Sequence, residues 1–186
     1  MTKIQIIIGS TRPNRVAPQI AQWALAQAQK RSDAEFELVD IADFDLPLYN
    51  EPLPPKMGNY QFDYTKKWAE RVAEADGYVF VTSEYNHSIP ASLKNALDYV
   101  YAEWNNKSAG IISYGSASGV RAAEHLRQIA AELQLADVSH NTLISMHTDF
   151  ENWSTFKPSE ALEQSVSGLF DQTVAWAEAL APLRQK

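Results

Sequence analysis

No cysteine occurs anywhere in the chain. That excludes disulfides, thiolate zinc sites, iron–sulfur clusters and a cysteine nucleophile. No dense Lys/Arg cluster is present either. Acidic residues outnumber basic ones, 23 to 16, for a formal net charge of -7. A polyanion is therefore a poor partner, and no nucleic-acid role is expected. No basic region precedes a long apolar core, so neither a signal peptide nor a transmembrane helix is expected, and a cytoplasmic location is. Internal repeats and domain linkers are absent as well.

What is there is ordinary globular material. Hydrophobic residues make up 45% and charged residues 21% of the chain, as in most folded domains. A length of 186 residues points to one domain, residues 1–186. Such a chain buries roughly 70% of its unfolded surface and needs no staple.

Apolar residues and breakers alternate along it. Residues 4–8 (IQIII) read as a strand buried on both faces. Residues 16 to about 31 read as a helix with Val16, Ile20, Trp23 and Ala24 on one side. A second strand is expected at 35–40. Residues 41–62 carry Pro47, Pro52, Pro54, Pro55 and Gly58 and form a long loop, which is either a functional or partner surface or a variable one. Helix returns at 63–75 and strand at 77–82. A polar loop, SEYNHSIP, leads to a helix at 90–104, with Ser88 as its candidate cap. Strand 109–113, loop 114–119 and helix 120–133 follow. A weak fifth strand covers 142–145. Residues 146–158 look irregular, and a last helix runs from about 159 to 180. Five strands alternating with helices imply a parallel α/β sheet covered on both faces, with ligands at the strand carboxyl ends.

Three loops fall at those ends. The first, GSTRPNR at 9–15, follows a buried strand and opens a helix, the setting for an anion. It has no Gly-Lys-Ser/Thr and no G-x-G-x-x-G, so a single phosphate is expected rather than a dinucleotide pyrophosphate. A tight turn with exposed arginines fits it nearly as well. The second loop, 83–88, combines an aromatic ring with donors and acceptors that suit the edge of a flat heterocycle. Alone it reads as an ordinary capped turn. The third, 114–119, has Gly115 and Gly119 around small residues, which lets backbone approach a ligand. His87 follows Asn86 at the mouth of the expected site. His125, His140 and His147 read as structural or solvated, and no histidine pairs at metal-ligand spacing. A Gly-x-Ser-x-Gly elbow is missing, which disfavours a serine hydrolase.

The segments GSTRPNR (9–15), EYNHSIPASLKNALD (84–98) and SYGSASGVRAAEHLR (113–127), in that order and setting, resemble the NAD(P)H-dependent FMN reductase family. LPLYNE at 46–51 is similar to the family's segment after its second strand. The resemblance covers most of the chain to about Leu133. It implies a flavodoxin-like three-layer sandwich with a five-stranded parallel sheet of order 2-1-3-4-5, and FMN bound without a covalent link. By resemblance, Ser10, Arg12, Asn14, Arg15 and Val16 surround the phosphate. Ser83, Glu84, Tyr85 and Asn86 border the ring, and Ser113, Gly115 and Ser116 close the other side. The family usually has proline where this chain has Ser83, and often a second glycine where it has Ser116. The implied activity is hydride transfer from NAD(P)H through FMN to a small acceptor: a flavin, quinone, azo compound or metal oxyanion. The cofactor carries that chemistry, so no catalytic side chain and no metal are assigned. The alternatives are a flavodoxin-type electron carrier or flavin-bound redox sensor, and a phosphate-binding regulatory module. A homodimer or homotetramer is implied, with helix 90–104 as the candidate contact.

Overall fold

The computed structural model describes residues 1–184. Five strands form one sheet: β1 (Thr2–Ile8), β2 (Ala34–Asp40), β3 (Gly77–Ser83), β4 (Lys107–Gly115) and β5 (Leu135–Ser145), all parallel and in the order β2-β1-β3-β4-β5. This is the flavodoxin-like arrangement. Helices α1 (Ala17–Ala28) and α5 (Glu160–Arg184) cover one face. Helices α2 (Asp63–Ala73), α3 (Ala91–Asp98) and α4 (Val120–Glu132) cover the other. A small antiparallel hairpin, β6 (Phe150–Glu151) and β7 (Thr155–Phe156), stands between β5 and α5.

The pleat of the central strand β3 divides the core. Tyr78 and Phe80 enter one cluster with Trp68, Leu93, Leu97, Trp104 and Leu126. Val79 and Val81 enter the other with Ile4, Ile6, Ile20, Ile112, Val166 and Phe170. Every β3 side chain is thereby out of water, which is why residues 78–81 are an unbroken apolar run. Burying one such large side chain contributes roughly 1.5–3 kcal/mol.

Three elements depart from the sequence reading, the β6–β7 hairpin inside the stretch 146–158 expected to be irregular being one. The helix expected over 90–104 ends at Asp98, and a 3-10 turn follows at Ala102–Trp104. Trp104 folds back and donates its indole N–H to the Leu97 carbonyl at 3.2 Å, satisfying a helix-end acceptor. Tyr99 and Trp104 are fully buried, so they are core rather than an external contact. Strand β5 is longer than expected, since at the edge of the sheet polar residues can stay in the ladder. Its middle, Ser139, His140 and Asn141, is polar and partly exposed, and the β4–β5 register slips near Ala109.

The long loop after β2 is tied down. The Asn95 side chain accepts from the Tyr49 N–H at 2.8 Å and donates to the Pro47 carbonyl at 2.7 Å. Glu51 is buried and accepts from the N–H groups of Gln61 and Phe62. Leu48 and Met57 remain exposed on its outer side. No described helix is long and apolar enough to cross a membrane.

Candidate functional site: a cleft at the strand carboxyl ends

The loop after β1 is pinned at both ends. Gly9 donates to the Val81 carbonyl at 3.0 Å and accepts from the Ser92 hydroxyl at 2.9 Å. A Cβ at Gly9 would lie 3.0 Å from Leu93 and 3.1 Å from the Val81 carbonyl, so glycine is what lets the loop pass under α3. Arg15 turns inward, donating to the Ser10 carbonyl at 2.5 Å and pairing with Asp40 at the end of β2. Asn14 takes a left-handed conformation (φ 56°) and Val16 precedes the first turn of α1, which holds Pro18. Arg12 is exposed, lies beside the Tyr85 phenol and, among the described residues, pairs with no carboxylate. In the same set, the N–H groups of Thr11, Arg12 and Asn14 find no acceptor.

The loop after β3 closes in a tight turn. Tyr85 and Ser88 exchange backbone hydrogen bonds of 2.9 and 3.1 Å around Asn86 (φ 48°) and His87 (φ 75°). Two successive left-handed residues give the turn a primed-type twist. Ser88 does not cap α3: its hydroxyl meets His125 Nδ1 at 2.9 Å. Glu84 bridges to the third loop. Its N–H donates to the Tyr114 carbonyl at 3.0 Å, and its carboxylate holds the Arg121 guanidinium and accepts from the Arg121 N–H at 3.1 Å. An anion at the start of α4 also suits the helix dipole. Burial pushes the Glu84 carboxyl up, but Arg121 outweighs it and holds the group below its ordinary range.

The third loop is braced from inside. Ser113 is fully buried and donates to the Ser118 carbonyl at 2.9 Å. Gly115 faces Glu84, and an added Cβ would sit 3.3 Å from the Glu84 Cβ.

Between these loops lies a cleft of about 190 Å³ lined by Arg12, Val16, Ser83, Glu84, Tyr85, Tyr114, Gly115, Ser116, Met146 and Trp153. Ser83 Oγ is buried there and makes no hydrogen bond of good geometry. The Tyr85 hydroxyl lies 3.2 Å from Ser10 Oγ. Burial pushes the Tyr85 phenol up, yet the Ser10 and Ser83 hydroxyls and the Arg12 guanidinium bring it below its ordinary value. Burial drives Tyr114 the other way, to about 12. A second cavity of about 430 Å³ lies across the first loop, lined by Thr11, Asp45, Leu46, Ser92 and Asn95 among others. It lacks the convergence of the three loops.

Seven of the expected residues therefore line the cleft: Arg12, Val16, Ser83, Glu84, Tyr85, Gly115 and Ser116. Ser10, Asn14, Arg15, Asn86 and Ser113 stand behind or beside it, and His87 sits exposed at its turn. Tyr114, Met146 and Trp153 line it without having been singled out in the sequence. Among the described residues no cluster of three or more His, Asp or Glu forms a metal site.

The donor set fits FMN. An unpaired arginine beside free N–H groups suits a phosphate. An orphaned hydroxyl between two tyrosines suits the polar edge of a flat ring.

A family model described as NADPH-dependent FMN reductase matches residues 2–149. An NAD(P)H-dependent FMN reductase of Schizosaccharomyces pombe is 42% identical over 135 residues, covering 72% of this chain and 68% of that protein. A 2-hydroxy-1,4-benzoquinone reductase of Burkholderia is 33% identical over 157 residues, covering 79% and 80%. Among solved structures, the flavoenzyme NAD(P)H:(acceptor) oxidoreductase FerB of Paracoccus denitrificans superposes with a TM-score of 0.75 over 96% of this chain and 98% of that one. At 22% identity that match speaks for the fold.

Proposed function

Because the chain belongs to the NADPH-dependent FMN reductase family, we propose that the cleft between the first, second and third loops is where it holds FMN. The protein is an NAD(P)H-dependent flavin oxidoreductase with a small-molecule acceptor. The observation that carries the site assignment is the convergence on one cleft of the buried Ser83 hydroxyl, which lacks a good partner, and the Arg12 guanidinium, which pairs with no carboxylate among the described residues.

FMN bound in this cleft would supply the redox chemistry that links NAD(P)H to the acceptor. The chain's part is to bind, orient and enclose. Arg12 and the free N–H groups of Thr11, Arg12 and Asn14 hold the phosphate. Arg15 keeps that loop in shape through Ser10 and Asp40. Ser83 and Tyr85 present hydroxyls to the ring's edge, and Gly115 and Ser116 let backbone come close to it. Glu84 keeps the second and third loops together by holding the start of α4. Quinones or free flavins, the acceptors named for its relatives, are the acceptor class we assign here.

The same reading gives a cytoplasmic homodimer or homotetramer. Its contact is the outer side of the loop after β2, where Leu48 and Met57 are exposed.

The test is to load the protein with FMN, remove free flavin, and add NADPH or NADH without oxygen. Bleaching of bound flavin within seconds, and re-oxidation by a quinone, is the expected result. Flavin that resists both nucleotides but takes single electrons would make the protein a carrier. Failure to retain FMN would remove the site assignment.

A further inference from the structure

The hairpin β6–β7 leaves the edge strand β5 and returns across the site to α1, which packs on β1. Its attachment there is specific. The Gln19 amide, near the start of α1, donates to the Ser154 carbonyl at 2.8 Å and accepts from the Phe156 N–H at 3.0 Å. Trp23 packs edge-on against Phe156, and Phe156 against Phe150. At the base, Asp149 accepts from the Ser145 N–H at 2.8 Å, and its carbonyl accepts from the Lys157 N–H at 2.8 Å. The hairpin is thus a built element held from both sides.

Its tip is costly. Asn152 and Trp153 both lie at positive φ, 50° and 58°. That region is unfavourable for a bulky L-residue. The Trp153 indole is 56% exposed, so core burial does not offset the cost. It instead lines the cleft, in company with Tyr85, Tyr114 and Met146, and packs edge-on against His147 with ring centroids 4.8 Å apart. Backbone strain that tertiary contacts sustain, at a residue facing a ligand cleft, marks a functional position.

We infer that Trp153, carried by the β6–β7 hairpin, is the outer wall of the flavin cleft and packs its indole against the flat heterocycle bound there. This rests on the assignment of the cleft to FMN. It predicts a contact with the ring and none with the phosphate. Trp153 and Arg12 therefore separate in their response to FMN and to riboflavin, which lacks the phosphate.

The experiment titrates flavin-free protein with FMN and with riboflavin, following tryptophan emission and flavin fluorescence. Trp153→Leu should weaken both ligands by the same factor, about tenfold for loss of one aromatic contact. Trp153→Phe should recover most of that loss. Arg12→Ala should weaken FMN alone. Flavin-induced quenching of tryptophan emission should fall in Trp153→Phe and persist in Trp176→Phe, whose exposed indole lies on α5 away from the cleft. Unchanged affinity for both flavins in Trp153→Leu, with wild-type protein binding FMN, would overturn the wall and leave the flavin site standing. Wild-type protein that takes up neither flavin would overturn both.

Discussion

Arg15 on the first loop closes on Asp40 at the end of β2, and its other amino group donates to the Ser10 carbonyl. The guanidinium is spent on shaping the loop, while Arg12, three residues earlier, faces the cleft. Two arginines that look alike in the sequence therefore differ in their consequences. Arg12→Ala should weaken FMN by roughly ten- to hundredfold, the weight of a charge-assisted hydrogen bond, and leave riboflavin and the unfolding midpoint nearly unchanged. Arg15→Ala leaves the Asp40 carboxylate without its partner. It should lower the urea midpoint and weaken FMN and riboflavin together. Equal effects of the two substitutions on the FMN-to-riboflavin ratio would contradict this division.

Glu84 works as a brace between two loops. Its side chain is 5% exposed, and it holds both the Arg121 guanidinium and the Arg121 N–H. Glu84→Ala strips an N-terminal acceptor from α4 and should cost about 1–2 kcal/mol in urea denaturation. Glu84→Gln keeps an acceptor and should cost less. Since the folded-state carboxyl lies below its ordinary value of 4.5, the group's contribution is present above that pH. It is lost as pH falls through the depressed value. Glu84→Gln should therefore flatten the acid limb of the stability profile. An acid limb identical to wild type would show that Arg121 does not hold the carboxylate in solution.

The sheet and two of the site loops were legible because the signals are local. The strand IQIII is buried on both faces, and Gly9 marks its end. What stayed hidden depends on long-range partners. Nothing near Arg15 announces that Asp40, 25 residues on, will occupy it. The β6–β7 hairpin was illegible because each of its strands has two residues and its turn is Asn152-Trp153 rather than a glycine pair. Gln19, its anchor, lies 135 residues from Ser154. The aromatic run at Tyr99–Trp104 misled because a wide apolar stripe looks the same whether it meets a partner or its own core. Here the chain breaks after Asp98 and folds Trp104 inward.

Gly119 and Gly58 form a matched pair for measuring backbone against packing. Both have positive φ, 70° and 62°. A Cβ at Gly119 would lie 2.7 Å from the Tyr114 nitrogen and 2.8 Å from the Ser113 Cβ, whereas one at Gly58 meets nothing within 4 Å. Gly58→Ala should cost only the left-handed penalty, about 1 kcal/mol. Gly119→Ala adds a clash against rigid backbone beneath the third loop, for a total of roughly 2–4 kcal/mol. It should also reduce flavin binding, which Gly58→Ala should not. Similar unfolding midpoints for the two variants would refute the packing argument.

Lys107 sets the alkaline behaviour. Its Nζ is buried and donates to the Val72 and Ala73 carbonyls, at the end of α2, and to the Tyr78 hydroxyl. Burial first, and the nearby Arg184 second, lower its pKa from 10.5 to about 8, against weaker upward pulls from Asp76 and Glu103. Between those two values the unfolded chain binds more protons than the folded one, so stability should rise with pH, by at most about 1.4 kcal/mol per unit. Below about 8 the penalty for holding a buried ammonium is fully present and this group adds no slope. Tyr99 and Tyr114 act in the opposite sense. Their phenols are pushed up to about 12, chiefly by burial, from an ordinary 10.0. Above about 10 the unfolded chain releases those protons first, and stability falls. Urea midpoints taken from about pH 7 to about pH 11 should therefore pass through a maximum near 10. Lys107→Met should abolish the rise and keep the fall. A wild-type profile that declines steadily from about pH 8 would show that Lys107 stays charged in the fold, with its hydrogen bonds outweighing its burial.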